Sequence, residues 1–329
     1  MKATAVANAN IALVKYWGKR DKELILPHNG SISMTCDGLA TTTTVEFSAQ
    51  YDKDTITIND QELAKDEKDI MAHIERIRKL AGITDKARVV SESNFPVAAG
   101  LASSASGLAA LSMAAAAAAG LNLNARELSI LARQGSGSAC RSIFGGFVEW
   151  QRGTAADGSD SHAVQIADKL HWPEFRMITT IVTEKKKPVS SRAGMAQTVA
   201  TCPYYEGWLR TVNDDLAKVR AGILNKDFEL VASVAEFNCL KMHATMMTTQ
   251  PPIIYWIPAT MEIIHAVRQM REEGIKAYFT IDAGPNVKVM CLAQDEETVN
   301  SRLLELDGVQ KTIVCRPGDA AQLINKHLF

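Results

Sequence analysis

The chain reads Pro96-Val-Ala-Ala-Gly100-Leu-Ala-Ser103-Ser104-Ala-Ser106-Gly107 and continues directly into an alanine-rich segment. Alanine has the highest helix propensity, so residues 104–119 are predicted to form a helix that begins at the serines. Small residues let a polyanion approach the backbone, and the first helical turn offers unpaired N–H groups and a positive dipole end. The three serine hydroxyls could bond phosphate oxygens or ligate Mg²⁺. The stretch predicts a phosphate-binding loop, although a serine cap on an ordinary helix has the same local pattern.

The patterns on both sides of this loop mix strands and helices without regular alternation. Predicted strands cover residues 40–47, 54–58, 89–93, 147–151, 176–183, 276–281 and 287–292, and predicted helices cover 65–81, 104–119, 126–133, 205–224, 227–247 and 260–273. Because regular βαβ units are missing, the predicted fold class is α+β rather than a doubly wound sheet. Long helical patterns dominate after residue 185, which predicts two lobes, 1–184 and 185–329.

Composition excludes several classes of protein. The chain has 329 residues, 47% of them hydrophobic, which is enough for a large core. Its formal charge of −1 argues against a nucleic-acid partner or an anionic membrane. The six cysteines form no C-x-x-C pair, which argues against zinc or a disulfide framework and favours a reducing compartment. With neither a signal peptide nor a membrane span in the pattern, we expect a cytoplasmic protein.

Two segments place cations beside small-residue turns. The first is Asn10-Ile-Ala-Leu-Val-Lys15-Tyr16-Trp17-Gly18-Lys19, which forms either a cationic rim for a polyphosphate or a strand end with solvated charges. The second is Gly135-Ser136-Gly137-Ser138-Ala139-Cys140-Arg141, where the turn delivers one arginine. The planar arginine fork matches a carboxylate. An ordinary surface arginine on a glycine-rich turn is the alternative.

Two later segments complete the set. Lys185-Lys-Lys187-Pro188-Val189-Ser190-Ser191-Arg192 is either a solvated basic run or the start of a helix that accepts phosphate. Thr280-Ile281-Asp282-Ala283-Gly284-Pro285-Asn286 places an aspartate after an apolar strand and before a forced turn. Such an aspartate commonly initiates the turn, and it can also be held there in one direction.

The loop is neither a Walker A loop nor a Rossmann fingerprint, but its pattern P-x-x-x-G-L-x-S-S-A resembles the ATP-phosphate loop of the GHMP kinases. Within that superfamily, Asn-Ile-Ala-x-x-Lys-Tyr-Trp-Gly-Lys resembles the start of the diphosphomevalonate decarboxylases, and the five motifs keep that family's order from about residue 5 to about 316. The resemblance implies an N-terminal lobe like domain 2 of ribosomal protein S5. It also implies a ferredoxin-like C-terminal lobe and an active site in the cleft between the two.

The resemblance also implies residue roles, for 5-diphosphomevalonate and ATP as the ligands. Asp282 would be the catalytic aspartate beside the tertiary hydroxyl, Arg141 would face the substrate carboxylate, and Lys15 would contact the hydroxyl or the transferring phosphoryl group. The other implied substrate contacts are Asn10, Tyr16, Lys19, Ser136, Ser138, Ser191, Arg192 and Met195. The implied ATP contacts are Asn94, Gly100, Ser103, Ser104 and Ser106. Mg²⁺ would be held mainly by the ATP phosphates, with Ser104 as a candidate ligand, and a homodimer is implied.

Some alternatives stay open at this point. A phosphomevalonate decarboxylase would run the same chemistry on the monophosphate, a GHMP kinase would phosphorylate and stop, and a non-catalytic binder would do neither. The segments 255–261 and 28–31 depart from the family pattern, and they leave a sister activity open. His243 lies in a helical pattern, and we interpret it as a core residue without a catalytic role.

Overall fold

The strands and helices below come from a computed structural model that describes residues 1–62, 68–96, 103–185 and 187–329. The strands are β1 (Lys2–Val14), β2 (Lys19–Asp21), β3 (Leu26–Pro27), β4 (Ser31–Ser48), β5 (Thr55–Ile58), β6 (Gln61–Glu62), β7 (Lys86–Ser93), β8 (Phe147–Trp150), β9 (Ala163–Ala167), β10 (Phe175–Ile181), β11 (Tyr278–Ile281), β12 (Val287–Leu292), β13 (Lys311–Cys315) and β14 (Gln322–Ile324). The helices are α1 (Lys68–Ala81), α2 (Ser103–Ala118), α3 (Ala125–Gly135), α4 (Ser191–Thr201), α5 (Tyr205–Asn225), α6 (Phe228–Met247), α7 (Pro258–Glu272) and α8 (Glu296–Leu304). Short 3-10 helices cover Gly137–Ile143 and Ala293–Asp295.

The larger sheet is organised around the long pair β1 and β4. Its order is β14-β1-β4-β7-β5-β6, and β8 and β9 extend it beside the first residues of β4. β4 therefore pairs with β8 near Ser31 and with β7 from Thr41 onward. β5 pairs with β7 in parallel. β7 therefore lies between β5 and β4, although β4 and β5 follow each other along the chain.

α2 packs on this sheet because both surfaces are built from small side chains. Ala5 and Ala7 of β1 lie in one buried cluster with the alanines of α2. Small side chains on both sides let the helix axis approach the strands closely, and this close approach fixes where α2 begins. The start of α2 lies beside the middle of β1, since Ser106 bonds Thr41 of β4, which pairs with Ala7.

The second sheet has four antiparallel strands in the order β11-β12-β10-β13. Four helices connect β10 to β11, and α8 connects β12 to β13. This is the βαββαβ arrangement of ferredoxin-like lobes. The predicted α+β class and the ferredoxin-like C-terminal lobe are confirmed. β10 precedes residue 185 but pairs within this second sheet. A lobe division between β9 and β10 therefore agrees better with the strand pairing. The division at 184/185 stays a prediction.

Most predicted elements lie where the patterns place them, with ends shifted by a few residues. The predicted strand 40–47 is part of β4, which begins much earlier, at Ser31. Residues 65–67 of the predicted helix 65–81 lie outside the described residues. The exceptions are strands and short helices without a strong pattern. Most of β1 was not predicted, because its run KATAVANANIALV mixes alanine and asparagine and lacks β-branched alternation. Only its end was considered, as one interpretation of the segment from Asn10. α7 begins at Pro258, before the predicted residue 260, because proline is well suited to the first helical position. None of the helices within the described ranges has the length and apolar character that crossing a bilayer requires.

Candidate active site

A cleft of about 1170 Å³ lies between the two sheets. It is bordered by the end of β1, the 3-10 helix Gly137–Ile143 (hereafter the 3-10 helix), the first turns of α2 and α4, and the end of β11. The predicted site residues that line it are Asn10, Lys15, Tyr16, Lys19, Ser103, Ser104, Ser136, Ser138, Arg141, Ser191, Arg192, Met195 and Asp282. Gly100 lies outside the described residues. Segments far apart in sequence therefore converge on one site.

Asp282 follows β11 directly, and α6 fixes the backbone of the preceding residue, Ile281. The N–H of Ile281 donates to Sγ of Cys239 at 3.0 Å, and the carbonyl of Ile281 accepts from Nε2 of His243 at 3.2 Å. His243 is buried, as predicted for a core residue, and burial lowers its pKa to about 3. The neutral imidazole thus acts as a fixed donor that holds the strand end. Asp282 is delivered to the cleft by this anchored strand.

Two lysines bracket the Asp282 carboxylate. Nζ of Lys15 lies 2.7 Å from Oδ1 and Nζ of Lys288 lies 3.6 Å from Oδ2. The Asp282 side chain is 24% exposed, whereas both lysines are almost fully buried. Burial raises the pKa of Asp282, but the nearby charges of Lys15 and Lys288 outweigh it and lower that pKa to about 2. The carboxylate is therefore ionised at neutral pH and faces the cleft.

Lys15 is held in place by its own set of partners. Its Nζ donates to the Ala12 carbonyl at 2.8 Å, and its backbone N–H donates to Oδ1 of Asn238 at 2.8 Å. Asn238 in turn donates to Oδ2 of Asp215 at 2.7 Å, and Lys241 donates to the same oxygen at 2.6 Å. This chain of bonds from α5 and α6 keeps the Lys15 ammonium aimed at Asp282.

Arg141 is buried on the 3-10 helix with its fork constrained by polar neighbours. Its Nε donates to Oδ1 of Asn10 at 3.1 Å and to Oγ of Ser33 at 2.9 Å, and its Nη1 donates to Oγ of Ser31. Asn10 also donates to the Ser138 carbonyl at 2.9 Å, so it ties the helix to β1. The guanidinium is thereby held at the cleft wall in one orientation, as carboxylate recognition requires.

Tyr16 lies beside Gly137 of the 3-10 helix that carries Arg141, and it lines the cleft. Its ring meets Trp150 edge-on at 4.7 Å, and its buried hydroxyl has no hydrogen-bond partner within the described ranges. Burial raises the pKa of the Tyr16 phenol, so it stays a donor. A buried hydroxyl without a partner is costly in a folded protein. A bound anion would satisfy it.

Gly137 lets the 3-10 helix approach the Tyr16 and Trp150 rings. A Cβ at this position would lie 2.8 Å from Trp150 and 2.9 Å from Tyr16. We expect Gly137→Ala to lower the free energy of unfolding by about 1–3 kcal/mol, because the rings must shift. The same shift should raise KM for the substrate that contacts Tyr16. Denaturant unfolding and steady-state kinetics measure both effects.

The matched control is Gly207→Ala in α5. The nearest atom to its added Cβ is the Arg210 side chain at 3.9 Å. That substitution should leave KM unchanged and stabilise the helix by about 0.5–1 kcal/mol. Equal stability and KM for Gly137→Ala and the unsubstituted protein would contradict the steric argument.

Lys19, Lys187, Arg192 and the start of α4 form the opposite rim of the cleft. Ser190 caps α4 and accepts from the Ala193 N–H at 3.2 Å, as the predicted helix start requires. Lys187 donates to Oγ of Ser191 at 2.6 Å and to the Ala283 carbonyl at 2.8 Å. Arg192 forms an exposed ion pair with Asp69 of α1. Such a pair contributes little stability, so an incoming anion can replace Asp69 at little cost.

The two predicted phosphate-binding serines that line the cleft, Ser103 and Ser104, stand in the first turn of α2. Ser106 points elsewhere: its hydroxyl bonds that of Thr41 at 2.7 Å. Asn94 caps the Ala40 N–H at 2.9 Å and does not line the cleft. The contacts of Ser106 and Asn94 with ATP stay predictions. In the described part of the chain, no group of three or more His, Cys, Asp or Glu side chains could hold a metal. The hydroxyls of Ser103 and Ser104 are oxygen donors that line the cleft.

Three features of the site were missed in the sequence. Lys288 is flanked by Val287 and Val289 in an apolar strand, where a lysine is an anomaly that could have been noticed. The two serines that hold Arg141 alternate in β4 and point to one face of the sheet, which is a weaker signal. In the sequence Lys187 is one of three consecutive lysines, and its contacts with Ser191 and Ala283 become visible only in the folded chain.

Known proteins resemble this chain over nearly its full length. A family model described as diphosphomevalonate decarboxylase-like N-terminal domain matches residues 7–163, and one described as mevalonate 5-diphosphate decarboxylase C-terminal domain matches residues 177–320. The diphosphomevalonate decarboxylase of Candida albicans is 40% identical over 92% of this chain and 87% of its own.

Solved structures agree in fold as well as in sequence. The mevalonate diphosphate decarboxylase from Enterococcus faecalis is 42% identical with a TM-score of 0.92, over 98% of this chain and 99% of its own. A structure described as MDDEF in complex with MVAPP, AMPPCP and magnesium is also 42% identical, with a TM-score of 0.93 over the same shares. The similarity thus includes both lobes and the cleft between them.

Proposed function

This chain belongs to the diphosphomevalonate decarboxylase family, and we propose that its cleft binds the two substrates through the residues assigned below. It has the GHMP kinase fold, and its reaction is the ATP-dependent decarboxylation of 5-diphosphomevalonate with Mg²⁺. One observation carries the assignment of the site. An ionised Asp282, bracketed by Lys15 and Lys288, faces the same cleft as the buried Arg141.

The substrate spans the cleft between the Arg141 wall and the rim at α4. Its diphosphate lies on Tyr16, Lys19, Ser191 and Arg192, where cations, a phenol donor and a helix N-terminus converge. Its carboxylate faces Arg141, and its C3 hydroxyl lies beside Asp282 and Lys15. The remaining substrate contacts in this proposal are Asn10, Ser136, Ser138 and Met195.

ATP lies with its phosphates at the start of α2. Ser103 and Ser104 supply hydroxyls, and the helix supplies N–H groups and its positive end. Gly100, Asn94 and Ser106 complete the proposed nucleotide contacts. Mg²⁺ is carried mainly by the ATP phosphates, with Ser104 as the candidate protein ligand, and when bound it offsets phosphate charge during transfer.

The chemistry needs no covalent intermediate on the protein. The C3 oxygen attacks the γ-phosphorus of ATP, ADP leaves with the electron pair of the broken P–O bond, and the hydroxyl proton is released to solvent. Positioning carries most of such a transfer. The C3–O bond then breaks and phosphate leaves with the bonding pair. Loss of CO₂ releases the C1–C2 pair to form the C2–C3 double bond of isopentenyl diphosphate. Asp282 orients the hydroxyl and offsets positive charge at C3, while Arg141 holds the carboxylate until it leaves.

The deciding experiment measures ADP and CO₂ together, with Mg-ATP and either 5-diphosphomevalonate or 5-phosphomevalonate. Equal amounts of ADP and CO₂ from the diphosphate support the proposal. A preference for the monophosphate would keep the chemistry and move the enzyme to the sister reaction. ADP without CO₂ would refute the role of Arg141.

The lobe division at 184/185, a cytoplasmic location and a homodimer belong to the same proposal, and light scattering of the purified protein tests the homodimer.

The pH dependence of substrate capture tests the diphosphate site. Burial and the neighbouring charge of Arg192 lower the pKa of Lys19 to about 8. Lys19 is therefore charged below that pH and loses its charge above it. We expect kcat/KM for the diphosphate substrate to fall as pH rises through about 8, because the empty rim then loses a cation. Initial rates from about pH 6 to about pH 10 measure this limb.

Lys19→Met separates this residue from the other titrating lysine on the rim. Burial also lowers the pKa of Lys187 to about 8, so Lys187→Met is the comparison. Lys19→Met should raise KM at every pH and weaken the fall of kcat/KM at alkaline pH. Lys187→Met should retain the part of that fall which is caused by deprotonation of Lys19. An alkaline limb unchanged in Lys19→Met would refute its place at the diphosphate.

A further inference from the structure

Lys288 is a fully buried lysine at the second position of β12. Its backbone pairs with Thr280 of β11, and Asp282 lies two residues beyond Thr280 on the same face of the sheet. Side chains at such diagonal positions are within reach of each other. The register of two adjacent strands therefore brings the Lys288 ammonium to Oδ2 of Asp282, at 3.6 Å.

A buried ammonium is expensive unless it is paired. Nζ of Lys288 also donates to the Asn286 carbonyl at 3.1 Å. A methionine or leucine would fill the same space between Val287 and Val289 without this cost. The charge therefore needs an explanation beyond packing, and Lys288 forms an ion pair with the proposed catalytic carboxylate.

We propose that Lys288 is a positioning residue, which holds Oδ2 of Asp282 from inside the sheet so that the ionised carboxylate presents one fixed edge to the substrate hydroxyl. The inference rests on the proposed function of Asp282. Lys15 reaches the other oxygen, Oδ1, from β1 in the opposite lobe. One lysine thus belongs to each lobe, and the carboxylate is held at the junction of the two.

The charged and titratable groups that face this pair come from several elements. They are Lys15 at the end of β1, Arg141 on the 3-10 helix, Lys187 before α4, and Cys239 and His243 on α6. Burial lowers the pKa of His243 to about 3 and raises that of Cys239 to about 11, so neither titrates near neutral pH. Lys187 titrates near pH 8, well above the acidic range used below.

The kinetic test compares Lys288→Met and Lys288→Gln with the unsubstituted enzyme. Both remove the charge, and Gln keeps an N–H donor in case the Met variant fails to fold. We expect kcat to fall by about 10- to 100-fold, because the carboxylate edge is no longer fixed. KM for both substrates should change little, because Lys288 is not placed against either. The ratio of variant to unsubstituted kcat should fall further as pH is lowered, since burial alone would raise the pKa of Asp282.

Arg176→Met is the matched control. Arg176 is also buried, lies on the neighbouring β10 opposite Cys291, and pairs with Glu296 away from the cleft. Its replacement should lower stability and leave the kcat ratio independent of pH. If folded Lys288 variants behaved in the same way, or kept full turnover, the positioning role would be refuted.

A second readout needs no turnover. The carboxyl ¹³C resonance of Asp282, assigned by its loss in Asp282→Asn, should stay at its ionised position from pH 7 down to about pH 4.5 in the unsubstituted protein. In Lys288→Gln it should move toward its protonated position at a higher pH than in the unsubstituted protein, because Lys15 and Arg141 then oppose the effect of burial without Lys288. An unmoved resonance in the variant would overturn the proposal even if the enzyme turned over. Absence of decarboxylation by the unsubstituted protein would instead refute the proposed function. The titration would still test the contact between Lys288 and Asp282 in that case.

Discussion

Asp282→Ala is expected to lower kcat by about 1,000-fold or more while leaving ATP binding nearly unchanged. The Asp282 carboxylate stands beside the proposed position of the C3 hydroxyl, and the nucleotide lies at α2. A group whose pKa is about 2 is a weak proton acceptor. Its main contribution is therefore orientation and negative charge, both of which alanine removes. Single-turnover release of ADP and CO₂ measures the chemical step, and calorimetry measures ATP binding.

Asp282→Asn is the control for lost packing. Asparagine keeps the shape and a hydrogen-bond acceptor, but it leaves Lys15 and Lys288 without a negative partner. If charge is the main contribution, Asn should be nearly as slow as Ala. If orientation alone mattered, Asn would recover most of the rate. Turnover like that of the unsubstituted enzyme in either variant would remove Asp282 from the mechanism.

The parts of the site that could be predicted from sequence are those where one short segment carries the whole signal. The turn at Gly135–Arg141 contains both its small residues and its arginine, and Ser190 precedes the helix it caps. In each case the local backbone geometry needs particular residue types at particular spacings. The family resemblance showed that these segments occur in the same order as in the family. The cleft in which they come together is formed only by the fold.

Other parts depend on tertiary contacts that no local pattern encodes. Most of the 13-residue β1 was missed because small side chains in a central strand matter only once α2 packs on them. Lys288 reaches Asp282 through the register of β11 and β12, which a hydrophobicity pattern does not specify. Ser106 looks equivalent to its neighbours in the motif, yet the helical turn directs it to Thr41. Periodicity predicts which face is buried, and not which polar groups meet there.

The second large effect concerns the carboxylate that becomes CO₂. Arg141→Lys is expected to lower kcat/KM by about 100-fold, because lysine keeps the charge and loses the planar fork. The surroundings of Arg141 make this substitution severe. Asn10, Ser31 and Ser33 are placed to accept from Nε and Nη1. A lysine offers its donors from a single point, so it cannot satisfy these acceptors and the substrate carboxylate together. Steady-state rates of CO₂ release measure the loss.

Arg220→Lys provides the comparison, because Arg220 also makes a two-point contact, with Glu149, outside the cleft. Its rates should match those of the unsubstituted enzyme. The ratio of ADP to CO₂ in Arg141→Lys is more informative than the rate alone. Phosphoryl transfer occurs at C3 and bond cleavage to the carboxylate occurs at C1–C2, so a misplaced carboxylate should slow the second step more. An excess of ADP over CO₂ would place Arg141 at the decarboxylation step. A uniform loss of both products would place it in substrate binding, and unchanged kinetics would exclude it from the site.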